Sequence, residues 1–148
     1  MKLSTKGRYG LRALVDIAVY SEEGPVSISA VSKRQNITIR YLEQLLPKLK
    51  KAGIIKSIRG AQGGYYLAKP LEDISVGDVL RSLEGDLNLV ECSEITGDGK
   101  ECVGSKYCVT KTVWKKINDS IRETVDSICL KELVEESKEI HNNCKTER

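Results

Sequence analysis

Mainly α-helical with one small β-hairpin is the fold class that three features of this 148-residue sequence predict. The first is a helix from Thr38 to about Ala52. Its Leu42, Leu45, Leu46 and Leu49 recur at i, i+3, i+4 and i+7 and give it one apolar face. The second follows directly. Ile54 to Ile58 alternates as a strand, Arg59-Gly60-Ala61-Gln62-Gly63-Gly64 turns the chain, and Tyr65-Tyr66-Leu67 returns it. The third is a long helix over residues 107–127, where Val109, Val113, Ile117, Ile121 and Val125 recur every fourth residue. Together they predict a winged helix-turn-helix plus a long dimerisation helix.

Taken in order, Ser4 caps a first helix with an apolar stripe of Leu11, Leu14, Val15, Ala18 and Val19. Lys2, Lys6, Arg8 and Arg12 crowd its start, where cations oppose the helix dipole, so an anion is expected there, and phosphate would serve. Glu22-Glu23-Gly24-Pro25 ends that helix. Ser27 caps a short second helix with Ile28 and Val31 inward, and Gln35-Asn36-Ile37 makes the turn, Asn36 suiting a left-handed position. Thr38 caps the third helix. Its outer face carries Arg40, Tyr41, Gln44, Lys48 and Lys51, side chains suited to base edges and phosphates, with Glu43 the one acid nearby. Pro47 lies inside it and predicts a kink or loosened turn near Leu46. Tyr41 has two readings: base contact, or a ring packed on the first helix with its hydroxyl exposed.

Ser75 with Asp78 forms a capping-box pattern at a fourth helix that ends near Glu84-Gly85, and Ile74 is placed to staple against Val79. Residues 86–106 are rich in glycine and acid and read as a functional loop. The long helix follows. Its stripe is too large for so small a core to cover, so a second copy is expected, which also suits a palindromic site. A last helix from Leu130 to about Ile140 buries Leu133 and Val134, and residues 142–148 read as a disordered tail. The expected organisation is residues 1–84 as the DNA-binding unit, 85–107 as a cysteine-bearing loop, and 108–148 as dimerisation helix, last helix and tail.

The overall charge of +3 divides unevenly: residues 1–74 hold 13 Lys and Arg against 6 Asp and Glu, residues 75–148 hold 11 against 15. A basic first half and an acidic second half point to a polyanion partner for the first half alone. No segment approaches a membrane span, so a cytoplasmic protein without a membrane partner is expected. There, five cysteines argue for metal or redox chemistry over a disulfide framework. Cys92, Cys102 and Cys108 put three thiols on the loop and at the start of the long helix, where thiolates can wrap a soft metal centre. A zinc ion and an iron–sulfur cluster would each want a fourth ligand. Cys129 reads as a small buried residue, Cys144 as incidental in the tail, and His141 as a solvated residue that stays a candidate ligand. One histidine, no Ser/His/Asp set and glycines placed between strands exclude the common enzyme classes.

MKLSTKGRYGLRAL at the start, YLEQLLPKLKKAGIIKSIRGAQGGYYLAKP in the middle, and three cysteines before a long helix resemble the IscR- and NsrR-type regulators of the bacterial Rrf family of winged-helix repressors. The resemblance extends to about Val134. It implies a homodimer formed through the long helix, the third helix in the major groove and the wing in the minor groove. It implies operator contacts at Arg40, Tyr41, Glu43, Gln44 and Arg59. Lys48, one turn on, is added from the residue pattern as a phosphate contact. It further implies an iron–sulfur cluster, 2Fe–2S or 4Fe–4S, on Cys92, Cys102 and Cys108, whose presence, loss or nitrosylation changes DNA affinity. Two departures stand out. Lys111 replaces the histidine of IscR-type chains, and Arg8 replaces the acid that NsrR-type chains supply from the partner subunit. The fourth ligand is therefore unassigned. A cluster-free regulator of the same fold that senses through its thiols or holds zinc, as the cysteine-lacking relative CymR suggests, is the alternative.

Overall fold

The computed structural model describes residues 3–92, 102, 104 and 106–146. Its elements are α1 (Thr5–Tyr20), α2 (Ile28–Gln35), α3 (Ile39–Lys51), β1 (Ile55–Ile58), β2 (Gly64–Leu67), α4 (Val76–Glu84), α5 (Lys111–Ser127) and α6 (Leu130–Thr146), with 3-10 turns at Ser21–Glu23 and Leu71–Asp73. The two strands are antiparallel, Ile55 opposite Leu67 and Ile58 opposite Gly64. Val26 adds one rung to the outer edge of β2 through paired backbone bonds with Tyr65.

Local chemistry sets the helix starts. The Ser4, Ser27, Thr38 and Ser75 side chains each accept a backbone N–H of the first turn, and Asp78 completes the capping box of α4. Asn36 ends α2 in the left-handed region (φ 53°), and its reversal sets α3 across α2. Packing decides the rest. Leu14 and Ile17 of α1, the four leucines of α3, Ile54, Ile55, Val79 and Leu83 form one core, closed from below by Leu130 and Val134 of α6. Ile54 precedes β1 and is buried beside Ile55, so the inward alternation starts one residue later than the sequence pattern suggests.

The structure departs from the sequence reading in five further places within the fold. α3 runs unbroken through Pro47: Leu45, Leu46 and Leu49 are all buried on one side while Pro47 faces solvent, so packing outweighs the missing N–H. The inner face of α1 centres on Ala13, Leu14 and Ile17, leaving Leu11, Val15 and Val19 half-buried. α5 begins at Lys111, after a turn in which Tyr107 and Val109 are exposed. The last helix continues to Thr146, so residues 142–146 are helical. Fifth, the anion at the start of α1 is internal. Glu84 Oε1, at the end of α4, accepts from the Ser4 N–H (3.0 Å), the Ser4 hydroxyl (2.6 Å) and the Gly7 N–H (2.8 Å).

That carboxyl is held below the usual glutamate range. Partial burial opposes this, but the Ser4 hydroxyl, the two backbone N–H groups and nearby Lys6 outweigh it. A depressed acid contributes stability that is present above its unfolded value and is lost as pH falls through its folded value. Glu84→Gln is therefore expected to be less stable than the parent at neutral pH, with the gap narrowing below the ordinary glutamate range. Urea unfolding from pH 7 down to about 3 checks this.

Candidate nucleic-acid interface and cysteine segment

α3 presents Arg40, Glu43 and Gln44 to solvent on the side away from its leucines. Tyr41 sits at their edge. Its ring meets Tyr9 edge-on at 6.0 Å, and its hydroxyl lies 2.8 Å from Thr5 Oγ1, so it packs on α1 and exposes only its margin. Lys48 points elsewhere: its half-buried amine reaches the Leu83 carbonyl at the end of α4 (3.4 Å). Arg59 is exposed at the tip of the hairpin. Two glycines make that tip possible. Gly60 has φ 116°, and Gly64 has φ 155° with the Val26 carbonyl so close that a β-carbon could not be seated.

The orientation of α3 is fixed from α1 by a polar cluster. Asp16, among the few buried polar residues, accepts from Arg34 Nε (2.9 Å), Arg34 Nη2 (2.7 Å) and Gln35 Nε2 (2.9 Å). The Arg34 guanidinium also stacks on Tyr20, 3.8 Å from the ring centroid. Arg12 adds a bond to the Gln35 carbonyl (2.6 Å). The turn that launches α3 is thus clamped at both its side chain and its backbone. Sequence reasoning missed this cluster. The visible hint was a lone acid inside an otherwise apolar helical stripe.

Cys92 and Cys108 are half-buried and Cys102 is exposed. The chain joining Cys92 to Cys102 lies outside the described residues, and among the described residues no three metal-ligating side chains converge. Cys108 stands just ahead of α5. Its thiol is held below the ordinary range by the Thr110 hydroxyl (3.3 Å), then by the Lys111 N–H, which outweigh the opposing desolvation. A thiol tuned towards thiolate, with two further thiols on the same segment, is the donor chemistry that a soft metal centre takes. The entry to the segment is anchored. Buried Asn118 of α5 accepts the Leu89 N–H (2.9 Å) and donates to Asn88 Oδ1 (3.2 Å). Cys129 is half-buried, bridging Ser75 through its backbone. Cys144 and His141 are exposed on α6.

A basic-faced α3 and a glycine-built wing, followed by cysteines ahead of a long helix, agree with the match of residues 3–136 to Rrf2, described as an iron-dependent transcriptional regulator. The chain belongs to the Rrf2 family. It is 40% identical over 143 residues to the HTH-type transcriptional regulator IscR of Pectobacterium atrosepticum, covering 96% of this chain and 84% of that one. It is 41% identical over 135 residues to IscR of Aliivibrio salmonicida, covering 90% and 77%. Among solved structures, IscR of T. potens superposes with a TM-score of 0.75 at 44% identity, covering 95% of this chain and 90% of that one. CymR, the global cysteine regulator of B. subtilis, superposes at 0.74 and 38%, covering 91% and 97%. The protein is a DNA-binding transcriptional regulator of winged-helix fold, and its Rrf2 relatives are regulators rather than enzymes. No described helix is long and apolar enough to cross a membrane.

Proposed function

We propose that this Rrf2 regulator is a cytoplasmic homodimer that reads operator DNA with α3 and the wing, and that an iron–sulfur cluster on Cys92, Cys102 and Cys108 sets its affinity for that DNA. The observation that supports the reading is the placement of three cysteines, one tuned towards thiolate, on a segment that leaves the reading head at α4 and rejoins the chain at α5. Residues 1–84 would form the reading head, 85–107 the cluster segment, and 108–148 the dimerisation and C-terminal helices. Arg40, Glu43 and Gln44 offer base-edge contacts, Tyr41 contributes at the margin, and Arg59 enters the minor groove from the wing. When bound, the cluster supplies a redox- and nitric-oxide-responsive centre. The fourth ligand comes from outside the three thiols, because Lys111 and Arg8 stand where relatives of this family supply one.

Protein purified anaerobically is expected to be brown, with visible charge-transfer absorbance and matching iron and sulfide. Cys102→Ala should bleach it. A colourless protein without iron or sulfide after anaerobic reconstitution would overturn the cluster. The likeness to CymR favours one second reading, a regulator of the same fold whose thiols sense oxidants or hold zinc. Zinc analysis and thiol counts before and after peroxide separate the two.

Arg59→Ala is expected to weaken operator binding by about 1–3 kcal/mol if the arginine reads a narrow minor groove. Titrations at several salt concentrations check it, and wild-type affinity at every one of them would remove Arg59 from the interface. Lys48→Ala is expected to flatten the salt slope by about one unit if its amine leaves the Leu83 carbonyl for a phosphate.

A further inference from the structure

The last turn of α4 is where the reading head leads into the cysteine segment. Leu83 and Glu84 end the helix, and Gly85 (φ 82°) releases the chain towards Cys92. Through Glu84 Oε1 that turn holds the first turn of α1 by three hydrogen bonds, and through the Leu83 carbonyl it holds Lys48 of α3. The α1–α4 contact is close, and glycines line its α1 side. A β-carbon at Gly7 would stand 2.8 Å from Glu84 Oε1, and one at Gly10 would collide with the Leu83 side chain. These bonds and the close packing beside them tie α4 to α1 and α3, so a shift of α4 is passed to both.

We infer that Glu84 is a positioning residue that couples the state of the cysteine segment to the recognition helix. The inference rests on cluster control as proposed above. Glu84 lies eight residues before Cys92 and is hydrogen-bonded to residues 77 and 80 positions away in sequence. Asn118 fixes the same connection from the other side by holding Leu89 and Asn88 on α5. A change at the thiols is thus delivered to a short tether, whose near end grips α1 and α3 and whose far end grips α5. The positive end of the α1 dipole and the charged carboxylate make the near grip electrostatic as well as steric.

The test compares affinity for a duplex that the wild-type protein enriches from a random pool, measured for the anaerobically loaded protein and for the Cys92→Ser/Cys102→Ser/Cys108→Ser protein. The ratio of the two dissociation constants is the coupling, and about 5–150-fold is the usual range. Glu84→Ala is expected to bring this ratio close to one, and Glu84→Gln, which keeps an acceptor oxygen, to retain part of it. Hydrogen exchange gives a readout independent of DNA. Amides of the first turn of α1 should differ between loaded and stripped parent, and that difference should vanish in Glu84→Ala. A ratio unchanged by Glu84→Ala would overturn the inference and leave cluster control standing. A ratio of one in the parent would end cluster control, and the inference with it. Should Glu84→Ala fail to fold, Glu84→Gln takes its place: a ratio and an α1 exchange difference both equal to the parent's would overturn the inference.

Discussion

Arg34→Met is expected to lower the unfolding free energy by about 3–5 kcal/mol, the usual cost of leaving a buried charge without its partner. Asp16 has a side chain 1% exposed, and Arg34 supplies two of its three hydrogen bonds and its only ion pair among the described residues. With the guanidinium gone, the carboxylate keeps one amide donor from Gln35. Arg34 itself is 31% exposed, so the opposite change, Asp16→Ala, allows its cation to rehydrate and should cost less. The double replacement Asp16→Leu/Arg34→Met removes both charges and should recover part of the loss. Urea unfolding followed by far-UV circular dichroism measures all three. A single Arg34→Met variant as stable as the parent would show that water or another cation satisfies Asp16. A second consequence concerns DNA. Arg34 and Gln35 precede the turn into α3, so the variant should also lose operator affinity at temperatures where it remains folded.

The helix starts at Ser4, Ser27, Thr38 and Ser75 were legible because a cap acts within three residues of itself. The wing was legible for the same reason, as glycines at 60, 63 and 64 leave the chain few other courses. The start of α5 was misread because its cap carries no such signal. Thr110 has helical backbone angles and no side-chain bond to the first turn, so the four-residue spacing from Val109 looked continuous. The end of α6 was misread from composition: Asn142-Asn143-Cys144 holds neither glycine nor proline, and nothing local stops the helix. The exposure of Arg40, Glu43, Gln44 and Arg59 was legible from helical spacing and the hairpin tip. The direction of Lys48 was not, because the Leu83 carbonyl it reaches is 35 residues away. The Asp16–Arg34 pair and the Glu84 cap are long-range for the same reason, and no periodicity announces either.

Ile117→Glu is expected to turn a proposed dimer into a monomer while scarcely changing the stability of the single chain. In one chain α5 packs its inner side, around Asn118, on the α4 side of the molecule, and its outer apolar side is left uncovered. Val113 is 48% exposed and Ile117 37%, with Val109 still more open beyond the helix start. A charge placed at an exposed position away from special features shifts stability within about 0.5 kcal/mol, so urea unfolding at low concentration should hardly move. The second copy would feel it strongly, since a carboxylate enters an apolar seam with no cation named opposite. Operator binding is where the effect becomes large. Two heads on one twofold frame make the second contact intramolecular, and separating them forfeits about 10²–10⁴ in apparent affinity for a palindromic duplex. Lys115→Glu serves as the control. Lys115 lies on the polar side of α5, paired with Asp119 at 2.7 Å, and its reversal should leave the assembly intact. Sedimentation equilibrium and duplex titration together decide the matter. If Ile117→Glu sediments as a dimer, the uncovered side of α5 is not the seam, and the twofold frame must be built from another surface of the chain.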